Sequence, residues 1–124
     1  MSDPTQERPD TRERVRLAVG AALEIQAVDL RVRHLTPVTD FTDFFVICSA
    51  TNQRQAQAIA DRVEERLRER GVRPLHSEGH QHGQWILLDY GDFVLHVFQE
   101  ERRSFYALER LWGDAPDVTS ELAA

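Results

Sequence analysis

The sequence predicts one mixed α+β domain, a single sheet of about five strands flanked by helices. Three observations carry this. Residues 85–98 form a hairpin pattern, the run Phe44–Ser49 is apolar on both faces of a strand, and three segments repeat apolar residues at helical spacing. A chain of 124 residues suits one domain with a sizeable core and needs no disulfide or metal to hold it.

In the hairpin, Trp-Ile-Leu-Leu-Asp-Tyr and Phe-Val-Leu-His-Val-Phe flank Gly91-Asp92. The glycine supplies the positive φ that a two-residue loop requires. Counting outward pairs Tyr90 with Phe93, Asp89 with Val94, Leu88 with Leu95, Leu87 with His96, Ile86 with Val97 and Trp85 with Phe98. Alternation then puts Ile86, Leu88, Tyr90, Phe93, Leu95 and Val97 on a core face. Trp85, Leu87, Asp89, Val94, His96 and Phe98 fall on the other, which reads as half-covered or as a partner surface.

Residues 1–10 are polar, carry Pro4 and Pro9, and are expected to be disordered. Asp10 with Glu13 begins a helix whose stripe is Val15, Val19, Ala22 and Leu23, ending near Gln26. Val28–Arg33 alternates apolar and charged, as a strand solvated on one face does. Phe44–Ser49 predicts a strand covered on both sides. Asn52 caps a second helix, with Gln55 three residues on and a stripe of Ala56, Ile59, Ala60, Val63 and Leu67. Gly71 and Val72 close it as a Schellman end. Leu75–Glu78 reads as a short edge strand, and residues 79–83 as a loop. After the hairpin, Glu100 and Glu101 open a last helix with a stripe of Phe105, Leu108, Leu111 and Trp112, ended by Gly113. Residues 114–124 read as a flexible C-terminal tail, leaving 11–113 as the domain.

No apolar run reaches the roughly 20 residues of a membrane span, and the N-terminus mixes arginines with acids unlike a targeting peptide. The cytoplasm is the expected compartment. The lone Cys48, inside an apolar run, reads as an inert buried thiol. The formal charge is −6 and all 15 basic residues are arginine, interleaved with acids, which disfavours a primary grip on nucleic acid and favours a basic protein partner.

No catalytic set emerges. His76, His80, His82 and His96 lack the cysteines and supporting carboxylates that would complete a zinc site, so no metal or cofactor is expected. The pairs Asp40/Asp43 and Asp89/Asp92 sit at turns, without a phosphate loop, and fit turn or capping duty. Ser49 lacks the elbow of a serine hydrolase. What remains is a surface-directed group, Trp85, Tyr106, Arg103 and Arg110 beside Asp89 and His96, of the residue types that anchor protein interfaces.

Several blocks together resemble the ribosomal silencing factor family, also called Iojap, in its bacterial members. They are Asp43-Phe-Phe-Val-Ile-Cys-Ser-Ala-Thr-Asn-Gln-Arg-Gln55, Ala58-Ile-Ala-Asp61, Glu78-Gly79, Trp85 to His96, Arg103-Ser-Phe-Tyr-Ala-Leu-Glu109 and Leu111-Trp-Gly-Asp-Ala115. The resemblance covers about residues 15–115. Ala50 departs from the family's usual glycine, and Tyr90 stands where the family varies. The resemblance implies a nucleotidyltransferase-like fold without its catalytic residues. It further implies binding to large-subunit ribosomal protein fourteen, steric exclusion of the small subunit, and lowered translation when nutrients are scarce. Carried over by position, the interface is Trp85 and Tyr106 as anchors, with Asp89, Arg103 and Arg110 as polar support. The alternatives are a nucleotide-binding protein using Asp89 and Asp92, a large-subunit assembly factor, or a homodimer pairing through the aromatic face.

Overall fold

A computed structural model describes residues 9–37, 40–100 and 115–123. The elements run α1 (Thr11–Glu24), β1 (Val28–His34), β2 (Phe44–Ala50), α2 (Gln53–Glu69), β3 (His76–Glu78), β4 (Trp85–Asp89), β5 (Phe93–Gln99), then a helical turn at Thr119–Leu122. The five strands form one sheet in the order β1-β2-β5-β4-β3. β2 and β5 are parallel, and every other neighbouring pair is antiparallel. Parallel neighbours need a crossover, and here α2, β3 and β4 supply it. Among the described residues no helix is long and apolar enough to cross a membrane.

The hairpin register matches the count from Trp85↔Phe98 to Asp89↔Val94. Gly91 turns it with φ 88°, and the Tyr90 N–H donates to the Phe93 carbonyl at 2.9 Å. One sheet face is sealed by the two long helices. Val32, Val46, Leu95 and Leu88 lie in a row across four strands, all buried. Val15, Val19 and Ala22 of α1, with Ile59, Val63 and Leu67 of α2, complete that core.

Both helix starts follow their caps. The Asp10 carboxylate accepts from the Glu13 N–H at 2.9 Å, and the Asn52 side chain from the Gln55 N–H at 2.8 Å. The Gln55 amide donates to the carbonyls of Ile25 and Gln26 at the end of α1, while its oxygen accepts from Thr51. One side chain thus satisfies orphan groups at the end of one helix and the approach to the next. At the end of α2 the Val72 N–H closes back on the Leu67 carbonyl at 2.9 Å. α1 is tied to the hairpin turn as well: Arg14 Nη1 and Thr11 Oγ1 each donate to Asp92 Oδ2 at 2.9 Å.

Two terminal expectations are corrected. Pro9 is buried and its carbonyl accepts from Arg14 Nε, so ordered chain begins before residue 11. Residues 115–123 do not extend as a tail. The His34 N–H donates to the Pro116 carbonyl, the Val118 N–H to Val32, and Arg33 bridges to Asp117, so this segment lies along the outer edge of β1. Ala115, Val118 and Leu122 are buried there. The cause is an edge strand with unpaired backbone groups, which a polar-looking segment with well-spaced apolar residues can cover. Beyond residue 100, the last helix expected over residues 100–113 lies outside the described residues.

Candidate functional site

Pairing register fixes what stands on the second face of the sheet. One row across it reads Arg33, Phe45, Val94, Asp89 and His76; the next reads Arg31, Ile47, His96, Leu87 and Glu78; a third adds Ser49, Phe98 and Trp85. The face therefore runs from arginines at the β1 edge, through an apolar and aromatic centre, to a carboxylate- and histidine-bearing edge at β3. Leu35 and Ala115 pack against that centre with Phe45, Ile47, Val94 and Phe98.

The centre is more enclosed than a half-covered surface. Phe98, His96 and Val94 are buried; Trp85, Leu87 and Asp89 of β4 are partly open, and the charged residues of β1 and β3 lie toward solvent at the two edges. The alternation of the sequence finds the face but not its depth, because depth depends on segments distant in the chain.

Trp85 lies over this centre. Its indole stacks on Phe98 with ring centroids 5.1 Å apart, and its Nε1–H donates to His96 Nδ1 at 3.1 Å. His96 meets Phe45 edge-on at 4.7 Å. Burial pushes the His96 pKa down from 6.5 to about 4. A ring nitrogen that accepts from an indole must be unprotonated, so the bond and the burial both specify neutral imidazole. The bond fixes the tilt of the indole at the edge of the face.

The loop before Trp85 is equally constrained. Gln53 and Gln57 of α2 donate to the carbonyls of Gln81 and His80, at 2.9 and 2.8 Å, and His80 Nε2 meets Asp61 at 2.8 Å. A side chain at Gly79 would place its Cβ 1.9 Å from the Trp85 carbonyl, so the chain passes there only as glycine. Gln53 and Asp61 lie within the blocks shared with the family, but nothing local announces these α2 residues as loop anchors.

Asp89 has turn duty: its Oδ1 accepts from the Gly91 N–H at 2.8 Å. Asp92 is held instead by Thr11 and Arg14, so the two carboxylates are committed to different partners rather than to a shared ion. Thr36 donates to Asp43, while His76 pairs with Glu78 and His34 stacks on Phe44. Among the described residues no group of three potential metal ligands forms. Cys48 is buried in β2. Of the five residues carried over as interface, the structure places Trp85 and Asp89 on one strand and one face; Arg103, Tyr106 and Arg110 lie outside the described residues.

The family model described as "Ribosomal silencing factor during starvation" matches residues 8–124. The chain belongs to the ribosomal silencing factor family. A ribosomal silencing factor of Halalkalibacterium halodurans is 37% identical over 110 residues, covering 89% of this chain and 94% of that protein. A crystal structure of a Chromobacterium violaceum protein superposes with a TM-score of 0.82 at 33% identity, over 85% of this chain and 88% of that one. A more distant relative, the mouse "Mitochondrial assembly of ribosomal large subunit protein 1", is 30% identical over 77% of this chain but only 43% of its own length. The mixed five-stranded sheet is thus that of the silencing-factor family, whose name describes a regulatory role rather than a reaction.

Proposed function

We propose that this chain binds the large ribosomal subunit through ribosomal protein fourteen and, by occupying the docking face, keeps the small subunit away. The observation that carries the proposal is the second sheet face, with Trp85 oriented by His96 at the rim of an aromatic centre in a family named for ribosome silencing. An anchor whose ring is already fixed loses little freedom on binding. Tyr106 is the second anchor; Asp89, Arg103 and Arg110 supply polar contacts. Asp89 can do so because its turn bond uses only one carboxylate oxygen. The net charge of −6 suits a basic ribosomal protein as partner. The mechanism is steric and calls for no cofactor.

Co-sedimentation with separated subunits tests it. The protein should pellet with large subunits alone and lower the yield of joined ribosomes when small subunits are added. Trp85→Ala and Tyr106→Ala, checked for folding, should each weaken large-subunit binding by about tenfold or more, the effect of an interface hot spot. Binding that is undiminished in both folded variants would refute the interface, and equal binding to small subunits would refute the silencing role.

The name of the mouse relative favours a second reading, assistance in large-subunit assembly. Cells lacking the protein would then accumulate incomplete large subunits during growth, whereas silencing alone predicts an excess of joined ribosomes in starvation.

A further inference from the structure

On the helix-covered face, α2 ends before the sheet does. All three residues of β3 are exposed, and between this strand and the C-terminal half of α2 lies a cleft of about 340 Å³ lined by Glu64, Arg68, Val72, Arg73, Pro74 and Ser77. Ser77 pairs with Leu88, so its side chain belongs to the face that α2 covers.

The arginines of α2 divide into two groups. Arg62, Arg66 and Arg70, toward α1, meet Glu24 or Glu13 at 3.0–3.5 Å. Arg68, and Arg73 just beyond the helix, make no ion pair or hydrogen bond with any described residue, although both line the cleft. A second feature lies beneath them. Tyr90 is 5% exposed, stacked on Phe93, and its hydroxyl has no hydrogen-bond partner among the described residues. Burial raises its pKa, and it shares the helix-covered core with Val72, one of the residues lining the cleft, without lining the cleft itself.

We propose that this cleft binds the phosphate group of a small metabolite. Two guanidinium forks match phosphate oxygens, and the Ser77 hydroxyl adds a donor at the same cleft. The volume is at the small end of ligand pockets, which fits a small phosphorylated compound rather than a polymer. Glu64 opposes bare anions, so the natural ligand also carries a donor that this carboxylate can accept. The cleft lies on the opposite face of the sheet from Trp85, and its occupancy is separate from the docking proposed above.

The test is an amide chemical-shift titration of the full chain with inorganic phosphate, then pyrophosphate, at ionic strength held constant with chloride. Saturable shifts centred on Val72, Arg73 and Ser77 are the expected result. Arg68→Ala with Arg73→Ala should weaken binding by about tenfold or more, Ser77→Ala by a smaller factor, and Glu64→Gln should tighten it. Shifts that scale without saturation over arginines everywhere, or an affinity unchanged in the folded double variant, would overturn the proposal. Large-subunit co-sedimentation of that double variant should stay at the parent level, so failure here is distinguishable from failure of the silencing reading.

Discussion

The two faces of one sheet solve opposite problems. The helix-covered face is built from aliphatic rows such as Val32, Val46, Leu95 and Leu88, and two amphipathic helices seal it. The second face sets a histidine and several aromatic rings among aliphatic residues, with charged residues at both edges. The first contributes stability through burial alone. The second gives up part of that to place a polar atom where it can aim a ring, since a buried imidazole must be neutral and bonded. The proposed docking face thus differs from the core face in what it buries as well as in what it exposes.

The sharpest way to break this contrast is to cut one residue on each side. Leu95→Ala, in the fully buried row, should cost about 2–5 kcal/mol in chemical denaturation, the range for a buried leucine. Large-subunit binding by the fraction still folded should be unchanged. If binding falls while the fold persists, the two faces are not separable.

Acid should find the second face first. Folded His96 has its pKa at about 4 against 6.5 when unfolded, so between those values the unfolded chain takes up the proton more readily. The stability contributed by neutral His96 is therefore complete above pH 6.5 and is lost progressively as pH falls toward 4, on the order of 3 kcal/mol in all. Denaturation series at pH 7 and pH 4.5 measure it. In His96→Leu that part of the pH dependence should vanish, and Trp85 fluorescence should change because the indole loses its acceptor.

Smaller effects belong to the fastenings of the helical layer. Asp92→Ala removes the acceptor shared by Arg14 and Thr11; Asp92 and Arg14 are each about one-fifth exposed, and the loss should cost about 1–3 kcal/mol. Asn52→Ala removes the α2 cap and should cost about 1 kcal/mol. Thermal unfolding ranks the two. A reversed order would mean that α1 is held by its packing on α2 rather than by its tie to the hairpin.

Much of this architecture is legible along the chain. The hairpin register follows from a two-residue turn and alternation, and the capped starts of α1 and α2 follow from Asp10 and Asn52. These features rest on contacts a few residues apart, or on counting outward from one turn, so local periodicity and side-chain chemistry determine them. The sequence alone also fixed the absence of a nucleophile elbow and the family blocks. Tertiary structure decided the rest: the parallel union of β2 with β5, the closing of the β1 edge by residues 115–123, the tie from Arg14 to Asp92, and the burial of His96 under Trp85. Each of these joins residues that have no reason to meet until the chain has folded. Their pairing depends on which edges and cavities the completed sheet leaves open, and no local pattern encodes that.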